Sequence, residues 1–154
     1  MSGVKVAVRV RPWMNTDGKG DPPDICCVEM NDPECKITDL LNTEAPADEK
    51  PFKKMTFDYS FWSHDGFKNR ADGYSEAIPG GGYHDQEHVY KVIGVDVLDS
   101  AWEGYHTCLF AYGQTGSGKS YSMTGYGANK GVIPLACTEI FERIRANTDP
   151  ELQF

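Results

Sequence analysis

Valine occupies every even position of the first apolar stretch, Val4-Lys-Val-Ala-Val-Arg-Val-Arg11. A period of two with one apolar face predicts a strand, and Pro12 ends it. Asn15 to Pro23 is rich in Gly, Asp and Pro and reads as a turn region. Short strands are expected at Ile25–Met30, Cys35–Leu40 and Met55–Tyr59. Thr43–Pro51, with two prolines and clustered acidic residues, reads as a loop. Residues 63–84 are polar and carry five glycines, three of them in a row at Gly80-Gly81-Gly82. That composition predicts an exposed or partly disordered insertion loop.

The period then changes. Val89, Ile93, Val97 and Ala101 fall four apart, flanked by Tyr90 and Leu98, which predicts a helix. Asp85 suits its N-cap and Gly104 its stop. Thr107–Tyr112 is a short apolar run and is expected to be a buried strand. A second helix is expected from Lys119 to Thr124, an interruption from Gly125 to Gly131, and a last amphipathic helix over Pro134–Arg145. Its apolar positions are Leu135, Ile140, Phe141 and Ile144.

Composition changes this picture little. The 154 residues suit about one domain, and 40 % hydrophobic with 25 % charged residues is ordinary globular usage. The sequence contains no apolar run long enough for a membrane span, and the N-terminus does not read as a secretory signal. Five cysteines in an odd count with no C-x-x-C pair argue against a zinc site or a disulfide framework. The four histidines, His64, His84, His88 and His106, make no ligand spacing. A net charge of -8 does not suit nucleic acid or an anionic membrane as partner.

The candidate chemistry lies in Gly113-Gln114-Thr115-Gly116-Ser117-Gly118-Lys119-Ser120, which fits G-x-x-x-x-G-K-[ST]. Glycines let successive backbone N–H groups turn inward as an anion nest. The helix that follows directs its positive end at the same place. Lys119 would reach the β- and γ-phosphates, and the Ser120 hydroxyl would ligate Mg2+. A chance match in a chain of this size is on the order of one per cent, and the predicted strand–loop–helix context sharpens the reading. The expected ligand is Mg-ATP. Tyr121, beside the loop, is either a core aromatic or a ring that stacks on a base. Arg9 and Arg11 on spacing alone are a solvated strand face or ligand contacts. Trp62 and Trp102 read as packing residues.

The stretch Phe110-Ala-Tyr-Gly-Gln-Thr-Gly-Ser-Gly-Lys-Ser-Tyr-Ser-Met-Thr-Gly125 resembles the phosphate-binding region of kinesin motor domains. Four more segments agree in order: Val4 to Pro12 with its R-x-R-P end, Phe57-Asp-Tyr-Ser-Phe61, Gln86-Glu-His-Val-Tyr90 and Gly131-Val-Ile-Pro134. Tyr59 to His64 and Lys119-Ser120-Tyr121 lean toward the vesicle-transporting kinesin-three subfamily. The resemblance implies an α/β fold, the N-terminal portion of the kinesin P-loop NTPase, with a mixed central sheet flanked by helices over residues 1–154. It implies that Arg9, Arg11 and Pro12 form one wall of the adenine pocket and that Tyr121 lies across the base. It places Gln114 to Ser120 on the phosphates and magnesium. It further implies microtubules (tubulin) as partner, ATP-driven movement along them, a cytoplasmic location on the cytoskeleton, and a coiled coil outside this chain.

Departures from the family pattern matter equally. Nothing here resembles the switch segments N-x-x-S-S-R-S-H or D-L-A-G-S-E. The catalytic residues are therefore expected beyond Phe154, and these 154 residues alone are expected to be inactive. Residues 66–84 are longer and richer in glycine than is typical for the family, and the acidic charge gives no obvious basic landing surface. A non-catalytic or truncated motor-like interaction module is the alternative reading. A small-metabolite kinase leaves the N-terminal strand match unexplained.

Overall fold

The structure is a computed structural model that describes residues 3–14, 25–41, 46 and 49–148. The predicted turn at Asn15–Pro23 and most of the loop at Thr43–Pro51 lie outside the described residues. The chain divides into two compact units, Met1–Gly66 and Phe67–Phe154.

In the first unit the valine-patterned segment forms β1 (Ala7–Val10), which lacks the first three residues of the pattern and ends shortly before Pro12. Two antiparallel neighbours come next, β2 (Val28–Asn31) and β3 (Glu34–Thr38). The single strand expected at Met55–Tyr59 is in fact two, β4 (Phe52–Thr56) and β5 (Tyr59–Trp62), separated by Phe57-Asp58. β2, β3 and β4 form one antiparallel sheet. β1 and β5 pair in parallel, with Arg9 opposite Phe61 and Val10 opposite Trp62. The start of β5 is pinned to the turn between β2 and β3. The backbone N–H of Ser60 donates to Asp32 Oδ1 at 2.6 Å, and the Ser60 hydroxyl donates to the Pro33 carbonyl at 3.0 Å. Among the described residues of this unit, Cys35, Ser60, Phe61 and Ser63 are buried. Val4 and Val6, the outer half of the valine stripe, are 86 % and 48 % exposed.

The second unit opens with a hairpin, β6 (Phe67–Asn69) and β7 (Ser75–Ala77). Residues 63–84 are thus not a structureless loop. Tyr74 and Tyr83 are buried, and the Phe67 and Tyr83 rings lie 4.8 Å apart. Paired aromatics outweigh the glycine content that suggested disorder.

The predicted helix forms as α1 (Gln86–Val89), a π-helical turn (Tyr90–Gly94) and α2 (Val95–Trp102). Asp85 caps it as expected, its carboxylate accepting from the His88 N–H at 2.8 Å. Gly104 ends it with φ +90°, and its N–H and that of Tyr105 return to Ala101 O and Ser100 O, each at 3.0 Å. That is a Schellman closure, which needs a residue free to adopt positive φ. The buried line runs through Gln86, Tyr90, Gly94 and Leu98, with Val89 buried beside it, whereas Ile93 and Val97 are half-buried and Ala101 is exposed. An α-helix drifts about 40° per four residues. The wider π turn takes that drift back and keeps a four-residue line facing inward. Gly94 makes room for this, since a Cβ there would sit 2.3 Å from the Tyr90 ring.

The expected buried strand at Thr107–Tyr112 is not formed. None of the described strands pairs with it, and Phe110 and Tyr112 are 75 % and 96 % exposed. An apolar run becomes a buried strand only when neighbours take its backbone groups and cover both faces. Pattern alone could not reveal that such neighbours are missing among the described residues. The described strands pair as four small sheets, one of them parallel, alongside the helices, a mixed α/β architecture as expected.

The remaining elements are α3 (Lys119–Met123), a tight hairpin of β8 (Gly125–Tyr126) and β9 (Asn129–Lys130), and α4 (Val132–Ala146). α4 starts two residues before the expected Pro134, which sits in its first turn where a missing N–H costs nothing. A polar cluster joins α4 to the π turn and α2. The Tyr90 hydroxyl donates to Glu139 at 2.5 Å, and Arg143 bonds both Glu139 and Asp99. The Arg143 guanidinium also lies 5.7 Å from the Trp102 ring centroid. The hydrogen bonds from Tyr90 and Arg143 hold the Glu139 carboxyl below its ordinary value, and burial pushes the Tyr90 phenol up. Among the described residues no helix is long and apolar enough to cross a membrane.

Candidate nucleotide-binding site

The glycine-rich loop closes on itself by three local features. Gly113, Gly116 and Gly118 have φ of +150°, +81° and +95°. The positive φ favours glycine at Gly113, and a Cβ there would in addition have to displace the Ser117 Oγ, 2.5 Å away. The Ser117 N–H donates to the Gln114 carbonyl at 3.1 Å, which closes the turn. Gly118, in the left-handed region, then delivers the chain into α3.

Lys119 is the first residue of that helix. Its ammonium donates to the carbonyls of Gly113 at 2.7 Å and Gln114 at 2.9 Å. The charge is therefore held over the loop by the loop's own oxygens. Ser120 is exposed, as are Gln114, Thr115 and Gly116. The first turn of a helix leaves its N–H groups without intrahelical partners, here from Lys119 onward. The Lys119 ammonium, the exposed Ser120 and the backbone start of α3 thus lie together beside the loop in the second unit. α3 has only five residues, so its dipole adds less than the local N–H groups do.

Tyr121 is half-buried, its ring 6.3 Å from that of Tyr126. Its carbonyl accepts a 2.6 Å hydrogen bond from the side chain of Gln86. Of the sequence-derived site, residues Gly113 to Tyr121 are brought together here. Arg9, Arg11 and Pro12 belong to the first unit and are described within it. The Arg9 Nε donates to the Ser63 hydroxyl at 2.9 Å, and the Arg11 Nη1 donates to the Pro12 carbonyl at 3.2 Å. His64 Nδ1 lies 3.2 Å from the Arg11 carbonyl. Arg9 is thus anchored in its strand by a buried serine rather than free on a solvated face.

Sequence reasoning passed over Gln86 and Asn129. Gln86 is 2 % exposed. It stands on the apolar line with Val89, Tyr90 and Ile93, at the i, i+3, i+4, i+7 spacing. A polar residue on a buried stripe must find partners, and that signal was available. Asn129 sits in a glycine-flanked turn and carries no such mark.

The five cysteines stand as free thiols, with Cys35 buried and its thiol pushed up by burial. Among the described residues no group of three or more His, Cys, Asp or Glu is placed to hold a metal ion.

The family model described as kinesin motor domain matches residues 9–154. Mouse kinesin-like protein KIF28 is 43 % identical across 98 % of this chain, and this chain spans 14 % of that relative's length. Dictyostelium discoideum kinesin-related protein 1 is 41 % identical over 93 % of the chain, and the match spans 6 % of that relative. Rat kinesin-like protein KIF1A, a kinesin-three member, is 39 % identical over 99 % of the chain and 8 % of its own length. Among solved structures, KIF14 with ADP in complex with a microtubule aligns with a TM-score of 0.69 at 38 % identity, over 97 % of this chain and 36 % of that one. The two-heads-bound KIF14 dimer with AMP-PNP on a microtubule aligns with a TM-score of 0.71 at 37 % identity, over 97 % and 35 %. The shared loop, its order among the flanking elements and these likenesses agree, and the chain belongs to the kinesin motor-domain family.

Proposed function

We propose that this chain is the ATP-binding part of a kinesin-like microtubule motor, whose complete domain hydrolyses ATP to move along microtubules in the cytoplasm. The loop Gly113–Ser120, with Lys119 held over its own carbonyls, carries the proposal. The residues fit the group. Three positive-φ glycines, one ammonium and the Ser120 hydroxyl supply the donors that a polyphosphate and its magnesium need. Lys119 and the backbone N–H groups of the Gln114–Gly118 loop would hold the phosphates, and the Ser120 hydroxyl would ligate Mg2+. Tyr121, directly after the loop, would offer its ring to the adenine. Bound nucleotide supplies the phosphoryl group and magnesium its charge neutralisation.

The 154 residues contain no segment resembling either switch. The groups that orient water and sense the γ-phosphate come from such segments in the family. The isolated chain therefore binds Mg-ATP and turns it over negligibly, with no stimulation by microtubules. Calorimetry with Mg-ATP tests the site: Lys119→Ala is expected to weaken binding at least ten-fold, about 1.4 kcal/mol. Equal affinity of the two chains would remove the loop from the account. Steady-state phosphate release with added microtubules tests the second statement, and robust turnover by the purified chain would contradict it.

A further inference from the structure

We propose that Gln86 is a positioning residue for the phosphate-binding loop, one that fixes the loop's helix from its far end. The inference rests on the nucleotide reading above. An amide nitrogen carries two N–H donors. Gln86 spends its nitrogen on two main-chain carbonyls, Tyr121 at 2.6 Å and Asn129 at 3.2 Å. Tyr121 O is among the last four carbonyls of α3, which no helix can satisfy internally. Asn129 O belongs to β9, and the Asn129 side chain continues the network. Its Nδ2 donates to Gly73 O and its Oδ1 accepts from the Ser75 N–H, both at 2.8 Å. The hairpin leaving α3 is pressed against the same end. A Cβ on Gly131 would lie 2.5 Å from Met123 C, and one on Gly125 would lie 1.9 Å from Asn129 O.

A helix of five residues does not hold itself in water. Its direction comes from what grips it, and the grip is at the C-terminal end: Gln86, the β8–β9 hairpin and two glycines. The N-terminal end, with Lys119 and Ser120, is left facing the loop. Gln86 bonds the helix at Tyr121. It acts through the Tyr121 carbonyl, so its loss moves the direction in which Lys119 and Ser120 are presented. Glutamate at this site would set a carboxylate against two carbonyl oxygens, and methionine would offer no donor.

The test measures Mg-ATP affinity by calorimetry and amide exchange of residues 119–124 in the whole 154-residue chain. Gln86→Met and Gln86→Glu are compared with wild type, Lys119→Ala and the core-weakened control Leu98→Ala. Positioning predicts about ten-fold weaker binding in both Gln86 variants. Exchange at 119–124 should be faster in both, while Leu98→Ala, destabilised but intact at the bracket, binds like wild type. A purely structural Gln86 would make its variants behave like Leu98→Ala and would overturn the proposal. In that event a weakened Lys119→Ala leaves the nucleotide reading standing; unchanged binding by Lys119→Ala brings down both. If neither Gln86 variant folds, exchange in the unsubstituted chain decides. Opening of residues 86–90 and 119–131 as one unit supports the bracket, and independent opening overturns it.

Discussion

Single residues carry the steric logic around the site. Gly125 has φ +74°, and an added Cβ would run into backbone at 1.9 Å. Neither the conformation nor the space admits alanine there. Gly125→Ala is expected to destabilise the chain by about 1–3 kcal/mol, read as a lower midpoint in urea. Gly127, with φ +57° but nothing within 4 Å of its Cβ, should cost less. Equal effects at the two positions would mean that close approach contributes nothing. At this scale the sequence was largely legible for the loop, because Gly113, Gly116, Gly118 and Lys119 each answer a local demand. Gly113's clash with Ser117 and the Lys119 contacts to its own loop are within six residues of chain. Gln86 stands out as a polar residue on an apolar stripe, but its partners were not legible, because they lie 35 and 43 residues away.

Elements whose signals are local formed where the pattern put them. Asp85 and Gly104 bracket the long helix because a cap and a left-handed stop need only near neighbours. Thr107–Tyr112 failed as a strand because strand formation depends on distant partners. The π turn was hidden too, since Gly94 shows its purpose only once the Tyr90 ring lies over it. The junction of this helix with α4 carries a pH prediction. Glu139 is held below its ordinary 4.5, first by the Tyr90 hydroxyl and then by Arg143. A lowered folded value means that the unfolded chain binds the proton more readily. The stabilisation is therefore present above the unfolded value and is lost as pH falls through the folded one. Glu139→Gln should lower the thermal midpoint by about 2–4 °C near neutrality. The difference from wild type should shrink as the buffer is taken below about pH 4. A pH-independent difference would show that the carboxylate charge is not what joins the helices.

For the molecule as a whole, apolar exposure is the dominant fact. Val4 at 86 % in the first unit, and Phe110 and Tyr112 at 75 % and 96 % in the second, are large side chains left to water. Uncovered apolar runs and open strand edges favour association. Sedimentation velocity of the isolated chain should show mass rising with concentration, and a monomer at all concentrations would contradict this. The net charge of -8 opposes attraction to an acidic filament. The chain alone should therefore not co-sediment with microtubules in a nucleotide-dependent way. The family was legible from five ordered segments, whereas the small separate sheets were not, because sheet assembly is a property of the whole set of strands. The claim on which the rest depends is that Mg-ATP sits on the Gly113–Ser120 loop. Hydrogen exchange of the chain with and without Mg-ATP tests it most directly. Protection should centre on residues 113–121 and vanish in Lys119→Ala; protection elsewhere with none at the loop would contradict it.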